Sequence, residues 1–221
     1  MTSAPDERTI LRRQLRQKRR NLSPLQQKRA AVGLCRQLRA QPLFLRSRHI
    51  AVYLPNDGEI DPRPLIECAW AMGKKIYLPV VRKKSGQRNH RQLLFQRFDC
   101  HTRLINNRFG IPEPKFEPRQ LRKAQLLDLV LMPLVGFDGD GGRMGMGGGF
   151  YDCTFAFRNN PKRLSPSLIG LAHECQQVEK LTLASWDIPL DAIATDKQLI
   201  VTRASQRRRN FIDSSSPVSP Q

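Results

Sequence analysis

The sequence predicts one α/β domain of three layers, a mostly parallel sheet flanked by helices, preceded by a basic N-terminal helix. Two stretches carry that expectation. From His49 to Val81 the order is IAVYL, a segment with an apolar stripe at Leu65, Ile66 and Ala69, then IYLPVV; strand, helix, strand of this kind gives two parallel strands joined by a right-handed crossover. Further on, the apolar run Leu126 to Phe137 feeds a glycine-rich loop, Gly139 to Asp152, and a helix-favouring segment from Gly149 to Phe157. Helices alternating with strands place ligands at the carboxyl ends of the strands. If the strands before PNDGE and before the glycine loop point the same way, the two loops share one crevice.

In chain order, Arg8 to Arg20 favours helix, with Leu11 and Leu15 four apart and a heavily basic remainder. Its charge run fits a solvated face or arginines gathered on one anion. Ser23, Pro24 and Gln26 make a capped helix start, and Ala31, Leu34, Cys35 and Leu38 repeat on one face. After IAVYL and the PNDGE turn, Asp61 caps the next helix with Pro62 at its first position, and Gly73 ends it. A strand from Ile76 follows, then the polar RKKSGQRNHR loop and a shorter strand, LLFQRF, from Leu93. FGIPEPKFEP holds three prolines in ten residues, an extended, rigid connection. The helix after the glycine loop ends at Asn159, Asn160 and Pro161. LIGLA from Leu168 is a short buried strand, HECQQVEKL turns toward WDIPLDAIATD, and LIV at Leu199 to Val201 is the last apolar element. Residues 1–203 are expected to form the domain, and 204–221, basic and Ser/Pro-containing, a disordered tail.

The 221 residues suffice for one large domain, and 39% apolar content suffices for a core. Lys and Arg total 38 against 19 Asp and Glu, a net charge of +19, so the long-range field favours anionic partners: nucleic acid, nucleotides or polyanionic small molecules. No apolar run approaches the ~20 residues that span a bilayer, and MTSAPDERTILRR lacks a signal-peptide core, so a cytoplasmic protein without a membrane partner is expected. Cys35, Cys68, Cys100, Cys153 and Cys175 are scattered, odd in number and without CxxC spacing, which argues against a disulfide framework or a structural zinc site.

Eight of the fourteen glycines lie between Gly136 and Gly149. Residues without Cβ adopt positive φ and bring successive N–H groups close to a ligand, so the loop suits phosphate binding as well as it suits a bland surface turn. It matches neither standard nucleotide fingerprint. No Gly-Lys-Ser or Gly-Lys-Thr follows, and the dinucleotide pattern fails at Met144, Phe150 and Asp152 in its three registers.

Taken together, LRRQLRQKRRNLS, YLPNDGEID, GKKIYLP, GIPEP, RMGMGGGFYD, GLAHECQQVEKL and WDIPLD, in this order over roughly residues 8 to 201, resemble the 5-formyltetrahydrofolate cyclo-ligase family, most closely its bacterial members. The resemblance implies cyclisation of 5-formyltetrahydrofolate to 5,10-methenyltetrahydrofolate with ATP and Mg2+, through a phosphorylated formyl group, with release of ADP and phosphate. It also implies site residues. Arg8 and Arg12, on one helical face by their spacing, look like the cationic ATP pair. The nucleotide loop is Arg143, Met144, Gly145, Met146, Gly147, Gly148, Gly149, Phe150 and Tyr151. Leu54 and Glu59 look like folate contacts, joined by the backbone from Met146 to Phe150. Asp152 and Asp187 look like the magnesium carboxylates, a carboxylate beside a phosphate loop being where a bridging metal needs one.

A carboxylate such as Glu59 can accept the paired N–H donors of a pterin edge, and Phe150 or Tyr151 can stack on a ring. Taken singly, Glu59 fits a surface turn, Asp187 a turn cap and Tyr151 a core position equally well. The chain departs from the family where Arg8 replaces a frequent lysine, Phe150 a frequent tyrosine and Cys153 a common arginine. The expected partners are the folate, polyglutamylated or not, and ATP, with the protein a monomer. Two rivals stay open at this level, a basic nucleic-acid-binding module and another ATP-dependent small-molecule kinase or ligase. Against the first, no zinc spacing, helix-turn-helix signature or aromatic-interleaved strand is present.

Overall fold

The computed structural model describes residues 6–81, 92–107, 110–160, 165–184, 187–202 and 205. The RKKSGQRNHR loop, Pro161 and the tail from 206 lie outside them. Helix α1 (Glu7–Arg20) is capped by Asp6, and α2 (Pro24–Arg39) starts with the capping box of Ser23 and Gln26. A short α3 (Pro42–Arg46) leads to β1 (His49–Ala51), α4 (Arg63–Ala71) and β2 (Lys75–Val81). Then come β3 (Leu93–Phe98), a hairpin of β4 (Leu104–Asn106) and β5 (Pro112–Pro114), and β6 (Leu121–Arg122). The remainder is β7 (Leu129–Pro133), a small hairpin of β8 (Gly136–Phe137) and β9 (Arg143–Met144), α5 (Phe150–Phe155), β10 (Ser167–Leu171), β11 (Ala192–Ala194) and β12 (Leu199–Val201).

The main sheet has eight strands in the order β12-β11-β10-β7-β1-β2-β3-β6. Its middle five, β11, β10, β7, β1 and β2, run parallel, while β12 and β3 pair antiparallel at the flanks and β6 pairs antiparallel with β3. Strands buried on both faces alternate between two cores, and β7 does so residue by residue. Leu129 and Leu131 face the side covered by Leu34 and Leu38 of α2, Phe44 of α3 and Leu65, Ile66 and Ala69 of α4. Val130 and Met132 face the other side, where Phe155 of α5 joins the loop residues Phe137, Ile188 and Leu190. The second outer layer is therefore thin, one short helix plus irregular chain.

Four local expectations change. The run from Leu126 to Phe137 is not one strand: residues 124–126 form a 3-10 turn, β7 stops at Pro133, and Gly136 and Phe137 leave the main sheet for the hairpin with β9. Pro133 ends the ladder because it has no N–H to donate. The helix expected over Gly149 to Phe157 is the six-residue α5 followed by a 3-10 turn over residues 156–159. Pro62, rather than Asp61, holds the cap position of α4, while Asp61 accepts from Arg63 N at 2.9 Å. Ala192 to Ala194, in the WDIPLDAIATD stretch for which the sequence predicts no strand, is a buried strand.

Candidate active site

β1 and β7 are parallel neighbours, so the turn after β1 and the loop that follows β7 emerge at the same edge of the sheet. In the glycine loop, Arg143 and Met144 are buried and their backbone is spent on the β8–β9 hairpin, with Val135 N donating to Met144 O at 2.7 Å. Beyond that point the chain changes character. The N–H groups of Gly145, Met146, Gly147, Gly148 and Gly149 donate to no acceptor among the described residues, and Met146 to Gly148 are exposed. Gly147 (φ +93°) and Gly149 (φ +65°) take backbone conformations that a side chain would strain. Five consecutive free donors on a curved backbone form a concavity suited to an anion.

Helix α1 closes this loop from above. Arg12 Nε donates to Gly145 O at 2.9 Å and Arg8 Nη2 lies 3.4 Å from Asp187 Oδ2, so the two arginines do share one helical face. Arg8 Nε is buried without an acceptor among the described residues. Both cations thus keep donors to spare beside the free amides. Below the loop, the Arg143 side chain pairs with Asp152 Oδ1 and donates to Ile188 O at 3.3 Å. Its guanidinium orients Asp152 from beside the loop, with Nη1 3.8 Å from where a Cβ on Gly145 would stand.

Asp152 Oδ1 also accepts from Ile188 N at 3.2 Å, which brings Asp152 beside the 187–188 segment, and Asp187 Oδ2 accepts from Ala184 N at 2.8 Å. Each carboxylate is fixed through one oxygen while the other oxygen bonds to nothing in the described residues. Two anchored carboxylates with free oxygens suit magnesium, which completes its shell with water and phosphate oxygens. No group of three His, Cys, Asp or Glu side chains arranged to hold a metal occurs among the described residues.

On the other side of the crevice, Asp57 takes a positive φ of 54° at the tip of the β1 turn. Burial alone would raise its carboxyl, but hydrogen bonds from Arg16, Arg20 and Arg19 outweigh that and hold it at about 2. Glu59, two residues on, goes the other way: burial pushes it up to about 7, with Arg19 the main opposing influence. Its Oε2 accepts from Asn56 N at 3.1 Å. Tyr53 and Tyr151 are also near, each with its hydroxyl pKa raised by burial first and by the charge of Glu59 second. Leu54 lines an adjoining groove of about 370 Å3 with Ile66, Trp70, Phe98, Leu104 and Pro112.

A family model described as the 5-formyltetrahydrofolate cyclo-ligase family matches residues 4–196. The chain belongs to that family. It is 40% identical to the 5-formyltetrahydrofolate cyclo-ligase of Escherichia coli (strain K12) over 84% of this chain and 98% of that one. It is 39% identical to the Haemophilus influenzae protein of the same name, over 83% and 95%. Among solved structures, the 5,10-methenyltetrahydrofolate synthetase of Aquifex aeolicus superposes with a TM-score of 0.72 at 27% identity, covering 97% of this chain and 96% of that one. The Mycoplasma pneumoniae synthetase gives 0.62 at 25% identity, covering 87% and 100%. A cyclo-ligase is an enzyme, so the nucleic-acid module left open by the charge is set aside. No helix in the described residues is long and apolar enough to cross a membrane.

Within this cyclo-ligase fold, Arg8, Arg12, residues 145–149, Asp152 and Asp187 lie together, with Leu54 and Glu59 on the neighbouring turn. Met144 is 2% exposed, so its side chain belongs to the core. Tyr151 stacks on Phe155 at 15° between planes, and it and Phe150 pack against the second core. Cys153 is exposed. A further cavity, about 480 Å3, lies elsewhere, at the β3 edge beside Arg97, Arg103 and Lys115. Sequence reasoning missed Arg19, which is fully buried between the two loops. The signal was present: the stripe Leu11, Leu15 lands next on position 19.

Proposed function

We propose that this protein cyclises 5-formyltetrahydrofolate to 5,10-methenyltetrahydrofolate using ATP and Mg2+, releasing ADP and phosphate. The observation that carries this reading is the meeting of a five-donor glycine loop with a buried carboxylate turn at the ends of two adjacent parallel strands, both roofed by α1. Relatives at 40% and 39% identity carry the name of this activity.

In the reaction, the formyl oxygen attacks the γ-phosphorus and the bond to ADP breaks. N10 then attacks the activated formyl carbon and loses its proton, and the C–O bond to phosphate breaks to leave the methenyl bridge. The work of the protein is positioning and charge neutralisation. Loop amides 145–149 with Arg8 and Arg12 hold the triphosphate. Asp152 and Asp187 would hold magnesium, which neutralises charge on the phosphate oxygens. Ionised Glu59 accepts two N–H bonds from the pterin edge, and the apolar groove beyond Leu54 takes the aminobenzoyl group. Glutamyl extensions of the folate then leave toward the basic surface. The protein acts as a monomer in the cytoplasm, with residues 1–203 as the working domain.

The test is product formation, read as growth of the near-ultraviolet absorbance of the methenyl compound. It appears with ATP and magnesium together and with neither alone. A folded protein that gives no absorbance change under these conditions contradicts the reading.

A further inference from the structure

The Arg19 side chain has no exposed surface, although it belongs to the basic last turn of α1, one turn beyond buried Leu15 on the same face. Its Nε donates to Asp57 O at 2.8 Å and its Nη2 to Asp57 Oδ2 at 2.9 Å. Its Nη1 donates to Leu134 O at 3.2 Å, on the segment that carries β7 into the glycine loop. The same Nη2 lies 3.8 Å from Glu59 Oε1. One planar fork therefore reaches both loops of the crevice, which an ammonium group cannot do in the same geometry.

The surroundings reinforce this placement. Arg16 Nε donates to Asp57 Oδ2 at 2.8 Å, and Arg20 pairs with Oδ1. Gln27 Nε2 bridges Arg19 O at 3.1 Å and Gly58 O at 3.4 Å. A Cβ on Gly58 would stand 3.2 Å from Arg19 O, so the turn rests directly on the end of α1. Gln176 Nε2 reaches Leu134 O at 2.9 Å from the opposite side. A buried charge persists when it is paired and hydrogen-bonded, and Asp57 supplies both.

We infer that Arg19 is a positioning residue for the reaction: held by Asp57, it sets the Glu59 carboxylate and the root of the glycine loop in one register. It touches neither substrate in the proposed arrangement and acts through Glu59. The groups facing Glu59 are Arg16 and Arg19 from α1, Asp57 in its own turn, Tyr53 after β1 and Tyr151 from α5; His173 faces Arg19. Arg19 favours the ionised form of Glu59, while Asp57 opposes it. The inference rests on the cyclisation proposed above.

The experiment is the pH profile of kcat/KM for 5-formyltetrahydrofolate, at saturating ATP, in the wild type, Arg19→Met, Asp57→Asn and Glu59→Gln, with thermal melts to establish folding. Removing a cation this close moves the Glu59 inflection up by about one unit or more in Arg19→Met, and removing the anion moves it down in Asp57→Asn. Arg19→Lys keeps the charge and the inflection but loses the fork, raising KM for the folate. Glu59→Gln has no inflection, and KM for ATP stays within about threefold in Arg19→Met and Asp57→Asn. If Arg19→Met does not fold, the downward shift in Asp57→Asn carries the test. Inflections that stay put, or shift the same way in both charge variants, overturn the inference. A wild type that turns over no folate instead overturns the proposed function.

Discussion

The turn after β1 and the loop after β7 lean on opposite halves of one helix, and they differ in what is left unsatisfied. Around the turn, contacts close on themselves: Asp57 gathers three guanidinium groups, Arg19 donates from each of its three guanidinium nitrogens to Asp57 or Leu134, and Glu59 takes a backbone N–H. Around the loop, five N–H groups and Arg8 Nε lack acceptors among the described residues, and there Arg12 donates through Nε alone. A turn that is complete before substrate arrives selects shape and edge chemistry. A loop with spare donors is completed by the anion it binds, and its free energy is delivered on binding.

That contrast can be broken by substitution, starting where the effect is largest. Asp152→Asn keeps acceptors for Arg143 and Ile188 but halves the proposed metal carboxylates, so turnover falls about 100-fold or more, with a smaller loss of melting temperature because buried Arg143 keeps its hydrogen bond and loses its counter-charge. Steady-state kinetics against magnesium concentration, alongside a thermal melt, check it. Asp152→Ala is a poorer probe because it leaves the buried Arg143 guanidinium without its partner.

Glu59→Gln should raise KM for the folate about 10-fold to 100-fold and leave KM for ATP nearly unchanged, the value of one charged hydrogen-bonding partner. Its pH dependence has a definite sign. Folate binding needs the ionised form, so kcat/KM rises as pH passes through about 7. Stability runs the opposite way, because burial favours the protonated carboxyl: its contribution is full below the ordinary value of 4.5 and is lost as pH rises through about 7. Melts of the Gln variant across that window lack this component.

On the loop side the arginines should separate. Arg12→Ala raises KM for ATP about 10-fold, whereas Arg8→Ala, removing a half-exposed and longer ion pair, raises it about threefold. Both leave KM for the folate in place; a matching rise there would erase the distinction between the two loops. The smallest effect is a gain. Cys153→Arg adds an exposed cation next to the loop, lowering KM for ATP about twofold, readable by nucleotide titration at low salt.

Much of this was legible beforehand, because it depends on local rules. Ser23 to Gln26, the strand–helix–strand unit and the shared crevice follow from capping, periodicity and parallel pairing, all of which neighbouring residues encode. The grouping of Arg8, Arg12, the loop, Asp152 and Asp187 was anticipated through resemblance rather than spacing, since 135 or more positions separate Arg8 from Arg143 and its followers. What stayed hidden depends on tertiary contacts. Pro133 breaks an otherwise continuous apolar run, and AIA becomes a strand only because β10 and β12 lie on either side of it. Arg19 falls within a charge run that fits a solvated face, and the partners that make its burial possible, Asp57 and Leu134, lie 38 and 115 positions away.

The central claim is that the crevice sets the formyl oxygen of the folate against the γ-phosphate of ATP. Its most direct measurement is the fate of that oxygen. With 5-formyltetrahydrofolate labelled with 18O in the formyl group, the account predicts that the phosphate released with the methenyl product carries the label, one atom per turnover. Unlabelled phosphate, with the label recovered in water, would contradict it.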